Sequence, residues 1–279
     1  MKKIVVIGQV IVEIMADSRG TGFREPLTLT GPFPSGAPAI FASQAARLEQ
    51  PCALPPAVGN DDFGQINIDP ERPTGSAFVR YRPDGSRDFV FNIRHSACGC
   101  LDLTESARRV LERADHFHVM GSSLSSPEFI ALNVETAEAV KTRNGTVSFD
   151  PNLGKEILDA PGMHEAMTRI LHLTDLFLPS DEELTLLTKA DEDEDAIREL
   201  LALGINAVVH ENGAKGAQYY DADRRFFRPA FSVDEVDPTG AGDCFGATFT
   251  SLWLRGTDVE EALELAAVAG AKAVTRRGP

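Results

Sequence analysis

Positive charge is what this sequence most plainly lacks. Lys and Arg number 27 against 42 Asp and Glu, for a formal net charge of −15. That balance repels phosphate backbones and argues against nucleic acid as a main partner, so any phosphate site must be built locally from backbone amides or a few cations. Long apolar runs are missing too: no stretch approaches the roughly 20 residues of a membrane span. The four cysteines, Cys52, Cys98, Cys100 and Cys244, have neither CxxC nor zinc-ligand spacing, which fits a reduced, cytoplasmic protein. There is no Walker A loop and no GxGxxG. No internal repeat or low-complexity segment is present.

What is there suits a large α/β core: 279 residues, 43% of them hydrophobic. The opening "MKKIVVIGQVIVEI" has the two lysines and apolar run of a signal peptide. Gln9 and Glu13 interrupt it, however, and no small-residue cleavage site follows, so it reads as a first β-strand. From about residue 101 onward, strand-like runs at 116–121, 146–150, 175–179 and 207–210 alternate with amphipathic segments near 127–143, 161–173, 181–188 and 194–203. This alternation predicts βαβ units and a parallel sheet covered on both faces, with ligands beyond the carboxyl ends of the strands. Polar punctuation at those ends ("GSS", "DPN", "PSDEE", "ENG") marks one shared edge. Residues 71–97 differ: "FVRYR" and "DFVFNIR" flank "PDGS", a hairpin signal. With the meandering stretch 10–34 they are expected to form a small β flap, the alternative being an edge hairpin of the main sheet.

The densest signal is "DPTGAGDCFGA", residues 237–247, between the strand-like "FSVDEV" and an apolar helical stripe at Phe245, Phe249, Leu252 and Trp253. A glycine turn entering a helix gathers unpaired N–H groups and the positive helix end, which together make an anion cradle. Asp243 stands in the first helical turn, where it can take a proton from a hydroxyl attacking phosphorus. It can equally be a helix cap or dipole partner, and the residues alone leave the two readings level.

The same stretch resembles the C-terminal signature, D-T-x-G-A-G-D, of the PfkB (ribokinase-like) carbohydrate kinases. In the family's order, "IGQVIVEI" resembles its opening strand, and "PSGAPAIFASQAARL" its Gly-Gly motif. "NDDFG", the flap hairpin, "FDPN", "LPSDEEL", "GAKGA" and "AVTRRGP" follow. The resemblance implies a ribokinase-like three-layer α/β/α sandwich with a mainly parallel central sheet and a small β lid, as one domain over 1–279 with lid segments near 10–34 and 71–97. It implies an ATP- and Mg2+-dependent transfer of the γ-phosphoryl group to a primary sugar hydroxyl. Asp243 would be the base, and Gly240, Ala241 and Gly242 the anion hole. Glu13, Ser35, Gly36 and Arg94 would hold sugar; Asp150, Asn152, Ser180, Gly213 and Gly216 would lie on the nucleotide side; Glu183 would be linked to magnesium. A monovalent cation near 237–241 and a homodimer through the lid follow from the resemblance alone.

Departures from the family pattern are Gln9 for a glutamate, Ser35 for the first Gly of Gly-Gly, and Ile40 and Ser180 for asparagines. Glu211 stands where lysine or threonine is common and puts an anion near the expected phosphates. The family has further segments at 68–69 and after 279, so the chain is expected to be incomplete there. Gly154 sits where relatives that phosphorylate 2-keto-3-deoxygluconate carry an arginine, and the stretch 22–41 resembles tagatose kinases. The expected substrate is therefore a neutral ketohexose of the tagatose or fructose type. Alternatives are a 2-keto-3-deoxygluconate kinase and a catalytically silent sugar- or nucleotide-binding regulator.

Other candidates have plainer readings. Acidic 191–195 starts like a calcium loop but lacks its glycine and its final glutamate. His116 and His118 share one side of a strand as core or interface histidines. "NGT" at 144–146 is a turn, "CGC" at 98–100 a hairpin exit, and Cys244 a small packing residue.

Overall fold

The computed structural model describes every residue except 21, 56–57, 64–67, 84–85, 101–102 and 153–161. Its strands, in chain order, are β1 (Ile4–Val6), β2 (Ile11–Arg19), β3 (Leu29–Ser35), β4 (Cys52–Ala53), β5 (Val58–Gly59), β6 (Ile68–Asp69) and β7 (Gly75–Tyr81). There follow β8 (Arg87–Asn92), β9 (His116–Met120), β10 (Thr146–Asp150), β11 (Leu176–Phe177), β12 (Ala207–Glu211), β13 (Ala217–Tyr220) and β14 (Arg225–Arg228). The main helices are α1 (Ala37–Arg47), α2 (Glu105–Glu112), α3 (Pro127–Thr142), α4 (Met163–Leu171), α5 (Glu183–Leu186), α6 (Asp193–Ala202), α7 (Ala241–Leu254) and α8 (Val259–Ala273).

The central sheet runs β14-β13-β12-β11-β10-β9-β1-β4, parallel from β12 to β4 and antiparallel at the β13 and β14 end. Its inner strands are buried on both faces because both are covered, as parallel sheets require. In β9, Phe117 and Val119 face the core shared with α2, α3, α4 and α6. Met120 faces Phe41 of α1 and Ala247 of α7 on the other side. Further along that second face, Leu176, Val209 and Tyr219 pack on Phe245 and Phe249 of α7 and Leu263 of α8. The result is three layers, α/β/α.

A second sheet, β3-β2-β7-β8, gathers the stretches 10–34 and 71–97 into a separate lid, with β2 and β7 parallel and its other pairs antiparallel. This excludes the edge-hairpin alternative for β7 and β8; the tip of the "PDGS" turn lies outside the described residues. Two expectations need correction. The opening run is two strands, β1 in the central sheet and β2 in the lid. Between them Gly8 lies so close to α1 that a Cβ there would be 2.2 Å from Pro38 Cγ, and Gln9 turns inward, its Nε2 donating to Ser122 O and Ser125 Oγ at 3.3 Å. "FSVDEV" is not a strand: 231–236 is exposed and belongs to no sheet of the described residues. It is tied at its end by Val236 N donating to Val274 O, 2.7 Å.

The histidines are core residues. His116 bonds Thr146 and Ser148, and His118 bonds Ser148 and stacks on Phe41 at 3.8 Å between ring centroids. Burial holds the His116 imidazole down at about 3, so it is neutral. Residues 193–202 of the acidic stretch and its sequel are helix, and Asn144 is a left-handed turn residue with φ 60°. Among the described residues, no helix is long and apolar enough to cross a membrane.

Candidate active site

Helix α7 begins on a glycine. Its N-cap is Gly240, in the left-handed conformation (φ 78°), with no side chain capping the first turn. Glycine suits the place on two counts: left-handed backbone strains other residues, and a Cβ would stand a tight 3.2 Å from both Ile40 Cγ2 and Pro279 Cβ. The first-turn amides of such a helix lack intrahelical acceptors. Ala241 N reaches only Pro238 O, at 3.3 Å, and Cys244 N donates to Gly240 O at 2.9 Å.

Asp243, the one acidic residue of that turn, is only 8% exposed. Burial, and secondarily the charge of Glu13, push its carboxyl up to about 7. Glu13 comes from lid strand β2, so lid and helix start share one electrostatic field. Its own carboxyl is raised, first by burial and then by Asp237, against the lowering influence of Ser35 and Arg87. Yet Glu13 Oε2 and Ser35 Oγ are both buried without a well-formed hydrogen bond. Two unsatisfied polar atoms side by side fit a site that expects hydroxyl groups. Gly36 follows Ser35 with φ 105°, and a Cβ there would lie 2.4 Å from Gln9 O.

The other expected residues lie along the carboxyl edge of the parallel strands. Asp150 ends β10 and accepts from Asn152 N at 3.0 Å. Ser180 follows β11, and its amide donates to Glu183 Oε2 at 2.8 Å at the start of α5. Gly213 and Gly216 bracket a short turn after β12, on the far side of Glu211. Glu211 ends β12 and bridges to Ser180; its Oε2 is 3.7 Å from where a Cβ on Gly242 would stand.

These carboxylates repel one another. Burial first, then Glu183 and Asp243, hold the Asp150 carboxyl well above its usual range. Glu211 is raised likewise by burial and then by Asp150, Asp243, Glu183 and Asp181. Among the described residues no three His, Cys, Asp or Glu side chains converge closely enough to hold a metal ion by themselves.

Arg94 makes no contact with the other expected site residues that the structure shows. It lies exposed after β8 has ended at Asn92 and makes no hydrogen bond or ion pair with the described residues. The lid arginine that reaches the helix-entry loop is Arg87, at the other end of β8, whose Nη1 is 2.5 Å from Thr239 Oγ1 and 3.7 Å from Asp237 Oδ1. Sequence reasoning passed over Arg87 and Asp237. The strand register that points Arg87 inward, opposite Tyr81, was the available signal.

A family model described as "pfkB family carbohydrate kinase" matches residues 1–279. The chain belongs to that family. Fructokinase-2 of Zea mays is 30% identical over 302 residues, spanning 99% of this chain and 89% of that protein. The apo crystal structure of an E. coli protein called a "putative Ribokinase II" superposes with a TM-score of 0.94 at 44% identity, covering 100% of this chain and 94% of that one. Its complex with ATP and Mg2+ gives 0.92 at 43%, with the same coverage. The fold is thus ribokinase-like, and the protein is a phosphotransferase acting on sugar.

Proposed function

We propose that this carbohydrate kinase transfers the γ-phosphoryl group of ATP to a primary hydroxyl of a neutral ketohexose, of the fructose or tagatose type. The observation that carries the reading is Asp243: a buried carboxylate, its proton affinity lifted to about 7, at the glycine-opened start of α7 and in the field of Glu13. A general base works best with its pKa near the working pH.

The residue roles follow from the chemistry. The sugar sits between lid and helix, with Glu13, Ser35 and Gly36 offering buried acceptors, a hydroxyl and close backbone approach. Asp243 takes the proton of the attacking hydroxyl. The amides of the Gly240–Asp243 turn face the charge that accumulates on the transferring group, where fixed donors act without reorganising. The lid excludes water and limits hydrolysis of ATP. Asp150, Asn152, Ser180, Gly213 and Gly216 line the nucleotide side.

The crowd of carboxylates there, with Glu211 against Gly242, cannot face a triphosphate unaided. It fits Mg2+, which takes hard oxygen ligands, keeps several waters and is held by one or two carboxylates plus phosphate. Glu183, with Asp150 and Glu211 nearby, would hold it; when bound it neutralises phosphate charge. The reading needs no monovalent cation at 237–241.

Fructokinase-named relatives support the ketohexose. The position that would decide against 2-keto-3-deoxygluconate, Gly154, lies outside the described residues. A panel of fructose, tagatose, ribose and 2-keto-3-deoxygluconate, with Mg-ATP and with Asp243→Asn as control, tests the reading. Fructose or tagatose should give the highest kcat/KM, and the variant should lose turnover by at least about a thousandfold. Preference for the keto acid would overturn the substrate, and binding without turnover by wild type would favour the silent regulator.

A further inference from the structure

We propose that Arg87 is a positioning residue: docked from the lid on Thr239 and Asp237, it sets the loop that leads into the Gly240–Asp243 turn, so that the anion site is formed only with the lid down. The proposal deepens the kinase reading above and rests on it for its catalytic consequence.

Asp237 is 1% exposed. A carboxylate so buried needs hydrogen bonds and a counter-charge. Its Oδ1 accepts the Thr239 amide at 3.1 Å and the Thr239 hydroxyl at 2.8 Å, and its Oδ2 accepts Gly278 N at 3.0 Å. The ion-pair partner recorded for Asp237 among the described residues is Arg87, at 3.7 Å, on the lid strand β8. The counter-charge of a buried group in the main layers is therefore carried by the lid sheet.

Thr239 is the relay. Its hydroxyl donates to Asp237 and accepts from Arg87 Nη1 at 2.5 Å, so the residue immediately before Gly240 is held from both sides. Gly240 has no side chain with which to fix its own left-handed conformation, and α7 has no side-chain cap. The turn therefore inherits its geometry from Thr239, and through it from Arg87. A second tie lies beside the first: Arg277 Nη1 pairs with Asp17 Oδ1 of β2 at 2.6 Å, and Gly278 packs against Phe33 of β3. If the lid lifts, Asp237 loses its cation and Thr239 its donor together. Misplacing a reacting frame by about 1 Å can cost about a hundredfold in rate.

The test compares wild type, Arg87→Met and Arg87→Lys. Hydrogen exchange is first read without sugar or nucleotide. Amides 237–243 should exchange at least about tenfold faster in the methionine variant, with segments 146–150 and 207–211 unchanged. The lysine variant, which keeps the charge but not the planar fork, should be intermediate; it also covers the case in which the methionine variant does not fold. Unchanged exchange at 237–243 overturns the proposal, whatever sugar the protein uses. In Mg-ATP turnover the methionine variant should lose about tenfold to a hundredfold in kcat, with little change in KM for sugar, and guanidinium ion should restore part of the loss. A loss confined to sugar KM would mean direct substrate contact and would overturn it. Should wild type phosphorylate no sugar at all, the kinase reading falls while the exchange comparison still decides the role of Arg87.

Discussion

Helices α7 and α8 pack against each other, yet their N-termini are built in opposite ways. At α8 the exposed Asp258 caps its own helix, accepting Glu260 N at 3.0 Å and Glu261 N at 3.4 Å, with two glutamates in the first turn. At α7 the cap position holds a glycine, the first-turn carboxylate is buried, and no side chain answers the amides. Both starts present the same partial positive charge. One satisfies it from within the sequence and gains stability; the other keeps it open at the carboxyl edge of the sheet, among repelling carboxylates. An open cap is not by itself the mark of a functional start, since α1, α4 and α6 also lack a capping side chain; what sets α7 apart is the buried carboxylate of Asp243 in its first turn.

Several substitutions break or sharpen that contrast. After Asp243→Asn itself, the largest effect is expected from Gly240→Ala. The left-handed residue gains about 1–2 kcal/mol of strain, and its new Cβ must displace Ile40 or Pro279. Steady-state kinetics should show kcat down by about tenfold to a hundredfold. A smaller effect follows from proton affinity. With Asp243 at about 7, kcat/KM for the sugar should fall about tenfold for each pH unit below 7, because the base is then protonated.

Stability should move the other way. The folded protein holds the Asp243 proton above the unfolded value of about 3.9, so it binds more protons than the unfolded chain between about pH 4 and pH 7. Stability from this group is therefore lost as pH rises through that window. Denaturant unfolding at pH 8 should find Asp243→Asn more stable than wild type by up to about 4 kcal/mol. The smallest effect belongs to the other helix: Asp258→Ala should cost about 1 kcal/mol of stability and leave kcat/KM unchanged. A kinetic defect there would dissolve the distinction between the two helix starts.

Much of the frame was legible in the sequence. The alternation of β9, β10 and β12 with α3, α4 and α6 is local hydrophobic periodicity, and so is the apolar stripe of α7. The two flap stretches met in one sheet as their turn and strand signals implied. What escaped depends on long-range pairing. One apolar run feeds two sheets because Gly8 must yield to Pro38, a contact invisible along the chain. "FSVDEV" has the composition of a strand but stays exposed and outside every sheet of the described residues. Arg87 opens β8 while Arg94 follows its end, and only the folded lid shows that Arg87 reaches Thr239. Glu211 stood out as an anion in an anion's place, but its closeness to Gly242 depends on where β12 ends relative to α7.

The central claim is that the carboxylate at 243 performs chemistry rather than capping a helix. Its most direct test is calorimetric binding of sugar and Mg-ATP to Asp243→Asn, set beside its single-turnover rate. The account predicts both ligands bound within about threefold of wild type and phosphoryl transfer slowed by at least about a thousandfold. Transfer within tenfold of wild type would contradict it.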